Sequence, residues 1–189
     1  LPLVFAPFRA LIGFRSDQHR SVLGWRRVPY LWMGTLLQFG GLAIMPFALI
    51  VLSGDSNGPA IIGQAGAALA FLMVGAGLHT TQTAGLALAT DLASETSQPR
   101  VVGLMYVMLL LGTVVTSIVF GLLLENFSQI RLIQVIQGAA VVTMVLNCVA
   151  LWKQEVRNTA LTAPDRDHAP FAEHWRALMA GGRTSRLLC

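Results

Sequence analysis

Four apolar stretches, residues 29–52, 60–90, 101–124 and 132–152, constrain this chain more than any motif in it. Each is long enough to cross a hydrocarbon core, which takes about 20 helical residues. Composition agrees: 54% of the 189 residues are hydrophobic and only 12% charged, with a mean hydropathy of +0.64, a balance that soluble domains rarely show. Trp32 and Trp152 fall near span ends, where an aromatic belt sits. The expected fold class is an all-α integral membrane protein.

Short polar breaks at 53–59, 91–100 and 125–131 alternate between the two membrane faces if all four stretches span. Every basic residue except Arg131 then lies on one face: Arg9, Arg15, Arg20, Arg26 and Arg27 before the first span, Arg100 in the second break, and the remainder after Trp152. The positive-inside rule makes that face cytoplasmic and places both chain ends there. The net charge of +4 is therefore a topology signal. No basic stripe with interleaved aromatics lies outside the membrane flanks, so no nucleic-acid partner is expected.

Residues 1–8 are too short to span and carry no signal-peptide layout. They read as the end of a preceding transmembrane helix, followed by a cytoplasmic loop over 9–28. Residues 153–189 read as a cytoplasmic linker with a mildly amphipathic patch of Phe171, Trp175, Leu178 and Met179. The expectation is a piece of a longer polytopic protein. Cys148 and Cys189 are badly placed for a disulfide, and no zinc-site spacing, Gly-x-Ser-x-Gly or phosphate loop occurs. An enzyme is not expected.

The second span carries the polar run His79-Thr-Thr-Gln-Thr-Ala-Gly-Leu-Ala-Leu-Ala-Thr-Asp91. Ionisable and amide groups persist in hydrocarbon only against protein, a cavity or a ligand, so this run is a candidate functional site. Helical spacing puts His79, Gln82 and Thr83 on one face. His79 has three open readings: a hydrogen bond to another helix, metal ligation, or a proton relay. Gly77, Thr81, Gly85 and Ala89 recur every fourth residue and read as close helix packing, or else as an interface for a second protein. Gly103, Gly112 and Gly121 read as packing or bending points. Gln134, Gln137 and Asn147 either line a cavity or bond between helices, Pro29 suits a first helical turn, and Pro46 should kink its span.

The loop Gly13-Phe-Arg-Ser-Asp17-Gln-His-Arg20-Ser-Val-Leu-Gly24-Trp-Arg26-Arg27 resembles the loop between the second and third helices of the major facilitator superfamily, with a longer step from Asp17 to Gly24. There Gly13 would permit a tight helix exit, Asp17 would engage a neighbouring helix end and the arginines would anchor at the lipid surface. Asp91 and Arg100 bracket the next cytoplasmic turn. A carboxylate at a helix C-terminus opposes the macrodipole, so Asp91 calls for a partner, either Arg100 or the Arg26–Arg27 pair. Gating and a plain surface ion pair are both open for this group.

The phrases Arg27-Val-Pro-Tyr-Leu-Trp-Met-Gly-Thr35, Gly41-Leu-Ala-Ile-Met-Pro-Phe-Ala-Leu49, Gly75-Ala-Gly-Leu-His79 running on to Asp91, Arg131-Leu-Ile-Gln-Val-Ile-Gln-Gly138 and Ala150-Leu-Trp-Lys-Gln-Glu155 resemble the PucC/LhaA group, the bacteriochlorophyll delivery family of that superfamily. The resemblance implies a facilitator-like helical bundle of which this chain is a partial six-helix half. It implies a protein of the bacterial cytoplasmic or photosynthetic intracytoplasmic membrane that assists light-harvesting complex assembly, handling bacteriochlorophyll or chaperoning antenna polypeptides. Antenna polypeptides or reaction-centre/antenna assembly intermediates, pigment-synthesis enzymes and membrane lipid would be its partners. Under that resemblance His79 is the candidate axial ligand for pigment magnesium, with Gln82 and Thr83 beside it. The competing classes are a secondary transporter moving a small solute by alternating access and a structural subunit of a photosynthetic complex.

Overall fold

In lipid every backbone N–H and C=O must be satisfied within its own segment, so apolar stretches of this length become helices. The computed structural model describes residues 2–17, 19, 25–53, 59–152 and 176. Its elements run α1 (Pro2–Asp17), α2 (Val28–Leu52), α3 (Ala60–Leu92), α4 (Gln98–Leu123) and α5 (Gln129–Ala150). Helices α2 to α5 are long and apolar enough to cross a membrane, which makes this an all-α, multi-pass membrane protein. With 33 residues, α3 is about 50 Å long against a hydrocarbon core of about 30 Å, so its ends project or the helix tilts.

Helices α2 to α5 begin and end within a few residues of the four apolar stretches, and α1 runs on past residue 8. A helix continues through the whole of 2–17, whereas the sequence reading ended it at residue 8 and began a loop at residue 9. The apolar run stops at Arg9, yet nothing in Arg9–Asp17 breaks a helix, and Gly13 is an interior residue of α1 instead of its exit. Gly24, the amphipathic patch of Phe171, Trp175, Leu178 and Met179, and the linker from 153 onward apart from residue 176 lie outside the described residues.

Local chemistry sets several ends. Pro29 sits in the first turn of α2 and Pro99 in that of α4, where a missing N–H costs nothing. Ser128 caps α5, its hydroxyl accepting the Arg131 N–H at 3.1 Å. Pro46 stands buried inside α2, which continues past it to Leu52.

The core is the α2–α3 pair, the most extensive helix interface, joined by α5 against α2 and by α1 and α4 against α3. The buried residues of α2 are Val28, Leu31, Gly34, Thr35, Gln38, Gly41, Pro46 and Ala48. Gly34, Gly41 and Gly77 let the backbones meet. A methyl on Gly77 would stand 2.5 Å from the Gly34 carbonyl oxygen, and one on Gly41 would stand 2.7 Å from the Ala70 oxygen. The recurrent small residues of α3 thus face α2: Gly77 meets Gly34, Thr81 lies against Gly34 and Gln38, and Gly85 is in contact range of Leu31. They pack one bundle, as in soft-lipid surroundings where close approach replaces hydrophobic drive. By contrast Gly103, Gly112 and Gly121 of α4 have nothing near them among the described residues, and no α4 residue is buried.

Candidate functional site

Two groups of polar residues stand out, both built on α3. The first joins the ends of three helices. Arg27, only 5% exposed, precedes α2 and reaches in three directions. Its Nη1 donates to Ser16 Oγ at 2.7 Å, its Nε and Nη2 donate to Asp91 Oδ2 at 3.2 Å each, and Nη2 also pairs with Asp17. Arg26 Nη2 adds a further contact to Asp91 Oδ2 at 2.9 Å. Ser16 in turn donates to the Gly13 carbonyl at 2.8 Å.

The placement has an electrostatic reason. Cations at the N-terminus of α2 and a carboxylate at the C-terminus of α3 each oppose their own helix dipole. Because the two helices run antiparallel, these ends are neighbours, and pairing the charges offsets both penalties. Of the two partners open to Asp91, the structure selects the Arg26–Arg27 pair. Arg100 is exposed, and no carboxylate lies within ion-pair distance of it among the described residues. Arg26 and Asp91 keep 23% and 37% side-chain exposure, so that pair is worth about 0–1 kcal/mol. The buried guanidinium of Arg27 carries the junction.

The second group lies farther along α3. Thr83 Oγ1 donates to the His79 carbonyl at 2.7 Å and accepts from Arg9 Nε at 3.4 Å, while its methyl would stand 3.8 Å from a Cβ placed on Gly13. Gln82 lines a cavity of about 250 Å³ together with Arg9, Leu86, Met105, Tyr106 and Leu109. The structure therefore brings Gln82 and Thr83 together with Arg9 of α1, one turn from His79. His79 lines none of the described cavities, and a 250 Å³ space is below the roughly 300–1,000 Å³ that enclose drug-sized ligands.

Sequence reasoning missed two members of these groups, Ser16 and Arg9, and a third polar residue between the helices, Gln38. Gln38, 8% exposed, donates to Thr81 Oγ1 at 2.8 Å and is the amide that joins α2 to α3. The same criterion that singled out the amides of the last span would have found it. Ser16 and Arg9 were hidden because their segment read as a surface loop. Of the last-span amides, Asn147 faces a cavity of about 360 Å³ with Thr35 and Thr81. Gln134 is exposed, and no hydrogen bond joins Gln134 or Gln137 to another helix among the described residues.

Fold and site together define a multi-pass helical membrane protein with polar groups held between its spans. The family model described as "PUCC protein" matches residues 1–189, and the chain belongs to that family. It is 59% identical to Protein PucC of Rhodovulum sulfidophilum, over 100% of this chain and 43% of that protein. It is 57% identical to Protein PucC of Rhodobacter capsulatus, over 95% of this chain and 40% of the relative. The PucC protein of Cereibacter sphaeroides matches at 57%, again over 95% and 40%. The chain spans about two-fifths of the length of these relatives. No solved structure gives a significant match.

Proposed function

We propose that this chain is part of an assembly factor for bacterial light-harvesting complexes, which binds or delivers bacteriochlorophyll, chaperones antenna polypeptides, or couples the two. The observation that carries the reading is membership of the PUCC family over the full 189 residues. The bundle suits it in one respect: α4 presents an apolar surface along its whole length, with Leu110, Val114, Ile118 and Leu122 each more than half exposed. A single antenna helix is a partner of matching chemistry for such a surface.

In this reading the junction of Asp17, Arg26, Arg27 and Asp91 marks the cytoplasmic side and latches three helix ends of a facilitator-like half-bundle. His79 supplies an imidazole as Lewis base for pigment magnesium, and Gln82 and Thr83 supply polar groups beside it. Bacteriochlorophyll, when bound, contributes the chromophore that is handed on, and this chain's residues bind and orient without covalent chemistry.

The test is the absorption spectrum and extracted pigment of the full-length protein, purified in mild detergent from a strain that makes bacteriochlorophyll but lacks antenna polypeptides. Stoichiometric pigment supports delivery. A folded, pigment-free preparation that captures antenna helices supports chaperoning alone. Absence of both, with substrate-dependent flux in liposomes, would overturn the assembly reading in favour of transport. In the same preparation His79→Leu is expected to lower pigment per protein; wild-type occupancy with an unchanged band removes His79 as the ligand.

A further inference from the structure

Arg9 and Arg15 both move from an expected loop into helix α1, and of the two Arg9 lies against the membrane span α3. Asp17 of α1 and Asp91 of α3 meet at the same guanidinium, and Arg9 and Thr83 each lie eight residues before those carboxylates and touch one another. Parallel helices in that register place Arg9 about 12 Å along the bundle from its ion-paired end. Arg9 is exposed, and a guanidinium set beside an apolar span is costly unless it is paired or meets water.

Its protein partners do not neutralise it. The Thr83 hydroxyl is at 3.4 Å, and no carboxylate lies within 4 Å of Arg9 among the described residues, Asp17 and Asp91 being held by Arg26 and Arg27. Arg9 faces a cavity of about 250 Å³ whose other polar walls are the Gln82 amide and the Tyr106 side chain, with Leu86, Met105 and Leu109 making up the remainder. An amide N–H and a phenol O–H are neutral donors, and the guanidinium fork matches the two oxygens of a carboxylate or phosphate. The leucines and methionine suit a hydrocarbon body. Access is lateral, since α1 and α4 both pack on α3 without an extensive interface of their own.

We infer that the cleft between α1, α3 and α4 binds the oxyanion head of an amphiphile, with Arg9 as the charge partner, Gln82 and Tyr106 as hydrogen-bond donors, and Leu86, Met105 and Leu109 against its apolar body. The same head group occurs on a free amphiphilic acid and on an anionic phospholipid. The inference stands apart from what the longer protein assembles, because it rests on a charge beside the span α3 and the wall around it.

The test uses full-length protein reconstituted in phosphatidylcholine bilayers and electron paramagnetic resonance of spin-labelled probes: stearate against its methyl ester, and phosphatidylglycerol against phosphatidylcholine. At least one anionic probe is expected to associate on the order of tenfold more tightly than its neutral counterpart. Preference for stearate alone identifies a free acid as the ligand, and preference for phosphatidylglycerol identifies a lipid. Arg9→Gln is expected to abolish the preference, Arg9→Lys and Tyr106→Phe to reduce it, and Arg15→Gln, which alters an exposed cation of the same helix outside the cleft, to leave it intact. Equal binding of charged and neutral probes by the wild type overturns the proposal, as does a preference unchanged in Arg9→Gln. If Arg9→Gln does not fold, an unchanged preference in both Arg9→Lys and Tyr106→Phe overturns it equally.

Discussion

Arg27 and Arg100 are both arginines at the edge of a span, yet they differ in what their removal exposes. Arg27 is buried and its nitrogens serve Ser16, Asp17 and Asp91, whereas Arg100 is exposed. Asp91→Asn takes away the negative charge shared by Arg26 and Arg27 and is expected to destabilise the full-length protein by about 1.5–3 kcal/mol, the worth of hydrogen bonds to charged groups. Arg100→Gln is expected to stay within about 0.5 kcal/mol. Thermal unfolding in mild detergent separates the two, and equal shifts would mean that the junction adds no stability. Gln38→Leu is a smaller test: it removes the α2–α3 amide bond to Thr81 and is expected to cost about 0.6 kcal/mol, typical of hydrogen bonds between membrane helices. Sequence alone named Asp91, Arg26 and Arg27 but left Arg100 as an equal candidate, since four side chains within a few residues of two span ends have no order of preference until the helices are rotated into contact.

At the scale of the helix, glycines that look alike in sequence divide into two kinds. Gly34, Gly41 and Gly77 touch backbone across the α2–α3 interface, while Gly103, Gly112 and Gly121 meet nothing among the described residues. Gly77→Ala would set a methyl 2.5 Å from the Gly34 oxygen and 2.7 Å from the Gln38 nitrogen. Backbone cannot swing aside as a side chain can, so the helices must separate, at an expected cost of about 1–3 kcal/mol. Gly112→Ala has room and is expected to be neutral within about 0.5 kcal/mol. The comparison of their unfolding midpoints checks the assignment of the interface. The stripe on α3 was legible from its four-residue recurrence, but its partner stripe on α2 and the emptiness around α4 were not. Lipid-facing and helix-facing residues are both apolar, so hydrophobic periodicity is silent about which face is buried.

For the whole molecule, the prediction concerns sidedness. If the Arg27–Asp91 end is cytoplasmic, a cysteine at Glu95 is reached by an impermeant thiol reagent only from the cytoplasmic side and one at Glu125 only from the opposite side. Labelling of both positions from one side would refute the alternating arrangement of spans. The measurement belongs on the full-length protein with all its native cysteines replaced, Cys148 and Cys189 among them, so that the introduced thiols alone report.

The sequence by itself determined the number of spans, their approximate limits and the lopsided charge, because transfer into lipid is a sum over local residues and needs no knowledge of neighbours. It also carried the family, through phrases spread from Arg27 to Glu155. Only the tertiary structure decided which arginines hold Asp91, which glycines bring backbones together, and that Arg9 lies on a helix and lines one cleft with Gln82 and Tyr106 instead of sitting on a loop. Those facts join residues some 40 to 100 positions apart, and such meetings depend on helix rotation and register, which no local sum contains.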